Sequence, residues 1–441
     1  MLIAPEEYPR RVKPTEKAQR IRDLTRRHNE WFKESIPLIA SENFVSPVAK
    51  EVMNSDLHNR YAEGRPGKRY YQGNIYVDDI ESACENLARE VFKCRFADVR
   101  PVSGTVANMA VLMALTKPGD KITAVSLSDG GHLSHAKMGA LGLRGLRAHN
   151  YPFDQKGMNI DPEGAIRLLR EVKPKVALFG QSVYLFPTPL EELRSTLDDL
   201  GCTVWYDAAH VLGLIAGNRF QNPFVEGVDV VSGSTHKTLP GPQHGILLSD
   251  LTKEDLELSL RKGVFPGVTS NHHLHSVAAL AITLAEAKEF GEAYADQTIR
   301  NAKALAQALF ERGLDVLCEP KGFTESHTLV VDVEEHRGGA AVAKALEGAN
   351  IIVNKNLLPW DTDPVHPSGI RIGSQEVTRL GMKEKDMASI AGSIARIVMD
   401  GDAPAAVLPE VKEFKKEFTK SHYCFFEGAE AYDYPSCDVN M

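Results

Sequence analysis

The sequence predicts an α/β protein: a mostly parallel sheet covered by helices on both faces, followed by a smaller second unit. Three observations carry this prediction. Short apolar β-type runs alternate with helical stretches until about residue 250. An Ala- and Leu-rich segment, Leu274 to Leu309, then reads as one long helix bridging into the C-terminal part. There His327-Thr-Leu-Val-Val-Asp-Val333 reads as a strand. At 441 residues the chain exceeds one ordinary domain, and its 43% hydrophobic content is globular. The expected division is a helical arm over 1–45, a large domain over 46–285 and a small domain over 286–441.

Glu16 to Lys33 reads as the helix of the arm. Its Lys/Arg run is interrupted by acidic residues, which suits a solvated face. Further on, Val102-Ser103-Gly104-Thr105-Val-Ala-Asn108 sets small residues before an apolar helical stretch, so free backbone N–H groups can point at an anion such as phosphate. The same pattern also opens helices that bind nothing. Gly130-Gly-His-Leu-Ser-His135 follows an apolar stretch and places His132 where it can lie flat over a ring. The His-x-x-His spacing of His132 and His135 is not read as a metal site, because no third ligand stands nearby.

Thr203-Val-Trp-Tyr-Asp-Ala-Ala-His210 is an apolar β-type run ending on Asp207. In an open α/β sheet ligands collect at the carboxyl ends of strands, so Asp207 is a site candidate. The competing reading is an N-cap for a helix opening near Ala208. Ser232-Gly-Ser-Thr-His-Lys-Thr-Leu-Pro-Gly-Pro-Gln-His-Gly245 follows another strand and places Lys237 between small hydroxyl residues and a Gly/Pro turn. A lysine held there can lose its proton and form a Schiff base, for which pyridoxal phosphate is the natural partner. A carboxylate such as Asp207 would keep the pyridine nitrogen of that cofactor protonated, making the ring an electron sink. Taken alone, the segment reads more readily as a surface lysine in a turn.

Composition excludes several classes. The net charge of −8 leaves no basic field for nucleic acid or an anionic membrane. No apolar run approaches a membrane span, and Met-Leu-Ile-Ala-Pro-Glu-Glu at the start has no signal-peptide core. The six cysteines, at 84, 94, 202, 318, 424 and 437, show neither metal spacing nor a disulfide framework, which fits free thiols in a cytoplasmic protein. Asn271-His-His-Leu-His275 is read as a short helical stretch whose histidines cannot all face one point, so no metal is expected.

These segments, in this order, resemble serine hydroxymethyltransferase, a fold-type-I pyridoxal-phosphate family. Leu38-Ile-Ala-Ser-Glu-Asn43, Tyr61-Ala-Glu-Gly-Arg-Pro-Gly-Lys-Arg-Tyr-Tyr71, Val264-Phe-Pro-Gly267, Val353-Asn-Lys-Asn356 and Ser368-Gly-Ile-Arg-Ile-Gly373 extend the likeness over residues 30 to 390. The Thr-Leu-Pro-Gly-Pro-Gln form after Lys237 is similar to the archaeal branch. The resemblance implies an aspartate-aminotransferase-like fold, with a seven-stranded, mostly parallel sheet in the large domain and a smaller α+β C-terminal domain.

Carried over residue by residue, the resemblance makes Lys237 the Schiff-base lysine for pyridoxal 5'-phosphate and Asp207 the pyridinium partner. It makes His132 the stacking residue, and His210, Ser103, Gly104, Thr105, Ser234 and His236 cofactor contacts. Ser41 and Arg371 would hold the substrate carboxylate, the guanidinium fork meeting both oxygens. Glu63 would be the acid–base residue, with Tyr61 and Tyr71 near substrate and cofactor and one of them reaching across a dimer. Ser182 and Asn356 match positions beside the cofactor hydroxyl and the pterin. Ser270 and Asn271 stand where the family carries a glycine pair donated to the neighbouring subunit's phosphate. His244 replaces a glycine and is expected to be structural.

The reaction implied is transfer of the L-serine hydroxymethyl carbon to a reduced pterin, of tetrahydrofolate or tetrahydromethanopterin type, leaving glycine. The expected unit is a homodimer with shared active sites. One rival reading keeps the cofactor and changes the reaction, to a pterin-independent β-hydroxy amino acid aldolase or an α-methylserine-type transferase. It rests on His244 and on the tail from Tyr423 to Met441. Another is a catalytically silent homologue, against which Lys237, Asp207, Glu63, His132 and Arg371 all stand.

Overall fold

The computed structural model describes residues 13–250 and 254–434. The start of the chain, Cys437 and the last residues of the tail lie outside them. Helix α1 (Pro14–Lys33) forms the arm; Pro14 sits in its first turn, where the missing N–H costs nothing, and none of its residues is fully buried. Helix α2 (Ile75–Phe92) leads into β1 (Phe96–Asp98) and helix α3 (Gly104–Leu115). Next come β2 (Lys121–Ala124), β3 (Arg147–Asn150), α4 (Pro162–Val172), β4 (Val176–Phe179) and α5 (Leu190–Leu200). Strands β5 (Thr203–Asp207), β6 (Val230–Ser234) and β7 (Gly245–Ser249) complete a seven-stranded sheet in the order β1-β7-β6-β5-β4-β2-β3. Only β7 runs against its neighbours.

Strands β4 to β7 are buried along almost their whole length because both faces are covered, whereas the edge strand β3 is mostly exposed. On β4, Ala177 and Phe179 join a core built with α2, α4 and α5, whereas Val176 and Leu178 join the core under α3. Strand β5 repeats the alternation, with Val204 and Tyr206 on one side and Trp205 on the other.

Helix α6 (Leu274–Phe310) has 37 residues and so spans about 55 Å. Val277, Leu280 and Leu284 pack into the large core, and Leu305 and Leu309 into a second one. That second core lies against β8 (Asp315–Val316), β9 (Thr328–Asp332), α7 (Gly338–Glu347), β10 (Asn354–Asn356), β11 (Gly369–Gly373) and α8 (Glu384–Val398). The four strands form an antiparallel sheet in the order β8-β9-β11-β10. Ile36–Pro37 pairs in parallel with Ile351–Ile352, and Gly373 N donates to Leu38 O at 2.8 Å, so the segment after α1 is stitched to this second unit.

Two local expectations change. No helix opens at Ala208; the next one is Leu212–Ala216, so Asp207 is not its N-cap. Residues 271–273 are not helical either: His273 is extended (φ −87°, ψ 91°) and α6 begins after it. His272 turns to Glu81, while His273 and His275 stack on each other. Among the described residues no helix is long and apolar enough to cross a membrane.

Candidate active site

The carboxyl ends of the parallel strands open into a cavity of about 450 Å³ between the two sheets. Asp207 ends β5, Ser234 ends β6, and Gln181 and Ser182 follow β4. Ser103, Gly104 and Thr105 start α3, and His132 lies in the turn after β2. Arg371 arrives from β11, and Ser41 from the segment stitched to that sheet. His210, His236 and Lys237 complete the wall.

The Gly/Pro loop after β6 is shaped by the hydroxyl residues around Lys237. Thr235 Oγ1 donates to Pro242 O (2.7 Å) and Thr238 Oγ1 to His210 O (2.8 Å). Lys237 is thereby held with 8% exposure, its Nζ 3.5 Å from Ser234 Oγ. Burial lowers its ammonium pKa to about 8 against the opposing pull of Asp207, and Arg371 adds to the lowering. Burial also lowers Arg371 to about 10. Arg371 donates from Nε to Asn354 Oδ1 (3.1 Å) and from one terminal nitrogen to Ser182 O (2.7 Å), which aims the fork.

Asp207 is buried, and burial alone would raise its carboxyl pKa. His135 and Asn108 reverse this: His135 Nε2 lies 2.9 Å and Asn108 Nδ2 2.7 Å from Oδ2, and the carboxyl is held below its usual range. Ala209 N donates to the other oxygen. The imidazoles, by contrast, are pushed towards neutrality by burial, His132 and His236 to about 4 and His210 well below its normal value. The cavity therefore sets two buried cations, Lys237 and Arg371, against one buried aspartate already bonded to neighbours, with the more exposed Glu42 elsewhere in the wall. Such a balance attracts anions.

A phosphate has a place here. Ser103 caps α3, its Oγ accepting from Val106 N at 3.2 Å, and the first-turn N–H groups have no intrahelical acceptor. The cradle is tight, because a Cβ on Gly104 would come within 2.0 Å of Ser234 Oγ. His210 Nδ1 and His236 Nδ1 are buried without partners and are available to a bound group. The residues present fit a phosphorylated pyridine aldehyde bound at Lys237.

The family described as serine hydroxymethyltransferase matches residues 15–394. The chain belongs to the serine hydroxymethyltransferase family. Relatives of that name include the one from Thermoplasma volcanium, 53% identical, with 94% of this chain and 97% of the relative covered. The Thermoplasma acidophilum protein is 53% identical (93% and 96% covered), as is that of Methanocaldococcus jannaschii (92% and 96%). The serine hydroxymethyltransferase family is pyridoxal-phosphate-dependent, uses a reduced pterin as co-substrate and has the fold-type-I architecture seen in the large sheet.

Six residues expected at the site lie outside this cavity. Tyr61, Glu63, Tyr71, Ser270 and Asn271 form a separate cluster: Ser270 Oγ donates to Glu63, Asn271 Oδ1 accepts from Ala62 N (2.9 Å), and the two tyrosine rings are 4.8 Å apart. Asn356 bonds its neighbour Leu357 O, and it is Asn354, two residues earlier, that meets Arg371. His244 is fully buried away from the cavity, with Nε2 2.7 Å from Val99 O. Asn108, His135 and Asn354 were missed. Their partners are distant in sequence, and only the sheet order and the β10–β11 register reveal them.

Proposed function

We propose that this protein interconverts L-serine and glycine, passing the hydroxymethyl carbon to a reduced pterin, with pyridoxal 5'-phosphate held at Lys237. The observation that carries the reading is a buried lysine with a lowered pKa sharing one cavity with a strand-end aspartate, a helix N-terminus and a pinned arginine. When bound, the cofactor supplies a sink for the electron pair left on the substrate α-carbon. Lys237, its pKa lowered to about 8, is the amine that would hold the cofactor aldehyde. Asp207 holds a proton at the pyridine nitrogen, and neutral His132 covers the ring. The α3 N-terminus with Ser234 takes the phosphate. Arg371 and Ser41 bind and orient the substrate carboxylate.

Glu63 moves the proton of the substrate hydroxyl in this reading, with Tyr61 and Tyr71 beside it. Because these residues lie outside the cavity of their own chain, the working unit is taken to be a homodimer in which each copy supplies that loop to the other. The exposed Tyr70, Ile75 and Tyr76 support this, since large apolar side chains favour burial. The five described cysteines are unpaired, which suits a cytoplasmic location. His244, one of two features favouring an aldolase reading, is outside the cavity.

The test is a titration of the purified chain with pyridoxal phosphate followed by visible absorbance, then glycine formation from serine with tetrahydrofolate or tetrahydromethanopterin. A visible band lost in Lys237→Ala, and turnover that needs one pterin, is the expected result. Absence of the band, or serine cleavage equally fast without pterin, overturns the reading.

A further inference from the structure

Asn108 lies on α3, 99 residues from Asp207 in sequence, yet it is buried at the centre of a hydrogen-bonded network in the wall of the cavity. The direction of that network is set by Trp205, whose indole N–H can only donate and gives its proton to Ser232 Oγ at 2.9 Å. Ser232 must then send its own O–H elsewhere, and it reaches Asn108 Oδ1 at 2.7 Å. The Asp207 carboxylate can only accept, so the amide nitrogen faces Asp207 and the oxygen faces Ser232. The two amide hydrogens are left for two acceptors, Asp207 Oδ2 at 2.7 Å and Ser134 Oγ at 2.9 Å. Ser134, having accepted, directs its O–H to His132 Nδ1 at 2.7 Å, and its backbone N–H points to the same nitrogen at 3.2 Å. His132 is therefore held as the tautomer with its proton on Nε2.

We infer that Asn108 is the positioning residue that locks Asp207 and His132 together, one amide fixing both the carboxylate meant for the pyridine nitrogen and the imidazole meant for the ring face. The inference rests on the cofactor reading proposed above. Asn108 itself moves no proton; it acts through the two groups it orients. His135 is a second, independent donor to Asp207, so loss of Asn108 loosens the carboxylate without freeing it. The branch to His132 is backed by one further donor, the Ser134 backbone N–H at 3.2 Å.

The experiment compares wild type, Asn108→Ala and Ser134→Ala by cofactor affinity, by visible circular dichroism of the bound cofactor, and by kcat and KM for serine. For Asn108→Ala the dissociation constant should rise and kcat should fall roughly ten- to hundredfold, the range of one charge-assisted hydrogen bond. KM for serine should change little, because Arg371 is pinned elsewhere by Asn354 and Ser182. Ser134→Ala removes the hydroxyl link between Asn108 and His132 but keeps the backbone N–H on Nδ1 and the Asn108 bond to Asp207, so the dichroism should weaken while affinity stays near wild type. If Asn108→Ala does not fold, Asn108→Ser carries the same comparison. A folded Asn108 variant with unchanged affinity and dichroism overturns the inference. Failure of wild type to bind pyridoxal phosphate at all would instead overturn the functional reading on which it rests.

Discussion

Burial is what makes Lys237 and Arg371 useful, and it has a cost in the cofactor-free chain. Among the described residues neither cation has a carboxylate at salt-bridge distance, so both are desolvated with little direct compensation. For Lys237 the sign is definite: its folded pKa is about 8, and an unfolded lysine titrates near 10.4. Below about pH 8 both states hold the proton and the folded chain bears the full burial cost. Between the two values the folded chain has released the proton and the unfolded chain has not, so stability rises with pH. Lys237→Met should therefore stabilise the cofactor-free protein at pH 7, by at most about 3 kcal/mol, and the advantage should fade by pH 10.5. Urea unfolding of both chains at the two pH values measures it. An equal difference at both would show that the ammonium charge is not the cause.

The start of α3 faces the end of β6, and the separation between these elements leaves no room for a side chain at Gly104. Its Cβ would lie 2.0 Å from Ser234 Oγ and 3.2 Å from Ser234 Cβ, so Gly104→Ala must turn the Ser234 hydroxyl aside and crowd the helix start against the strand. The same backbone offers the first-turn N–H groups to an anion. The variant should stay folded but bind pyridoxal phosphate roughly five- to hundredfold more weakly, as expected of overpacking by about 1–3 kcal/mol, with titration of the visible band as the measurement. Elements such as these were legible in the sequence where one residue type repeats with the period of its structure. The β4 and β5 runs, the arm helix and the long α6 all declared themselves by apolar periodicity, and Ser103-Gly104-Thr105 by its small residues. Asn108 did not, because an asparagine inside an apolar helix shows no partner until β2, β5 and β6 are ordered beside it. Asn354 was passed over for Asn356 for a related reason: which of two asparagines on β10 faces Arg371 depends on register with β11, and register is invisible in either strand alone. The Asn271–His275 stretch was read as helical although three histidines and an asparagine have modest helix propensity, and its extended lead-in to α6 follows that weakness.

At the scale of the whole molecule, one cavity lies between two sheets and one well-anchored loop stands apart from it. Arg69 fastens that loop, donating to Asp78 (2.8 Å), Glu81 (2.9 Å) and Ala62 O (2.7 Å), and Asn74 Nδ2 reaches Tyr61 O and Tyr71 O. A loop so firmly tied from behind still leaves Tyr61 and Tyr71 each 46% exposed at its front. Anchoring of that kind costs chain entropy, and a homodimer that seats the loop over the other copy's cavity would recover it through burial. Shared sites make a prediction that a self-contained site does not. Glu63→Gln and Lys237→Ala, each nearly inactive alone, are mixed in equal amounts, unfolded and refolded together. If loop and cavity come from different copies, half the dimers are mixed and each mixed dimer has one intact site. Activity should then recover to about a quarter of wild type. If each chain supplies its own Glu63 to its own Lys237, every site in the mixture carries a defect. Activity then stays at the level of the single variants even when mass spectrometry confirms that mixed dimers have formed.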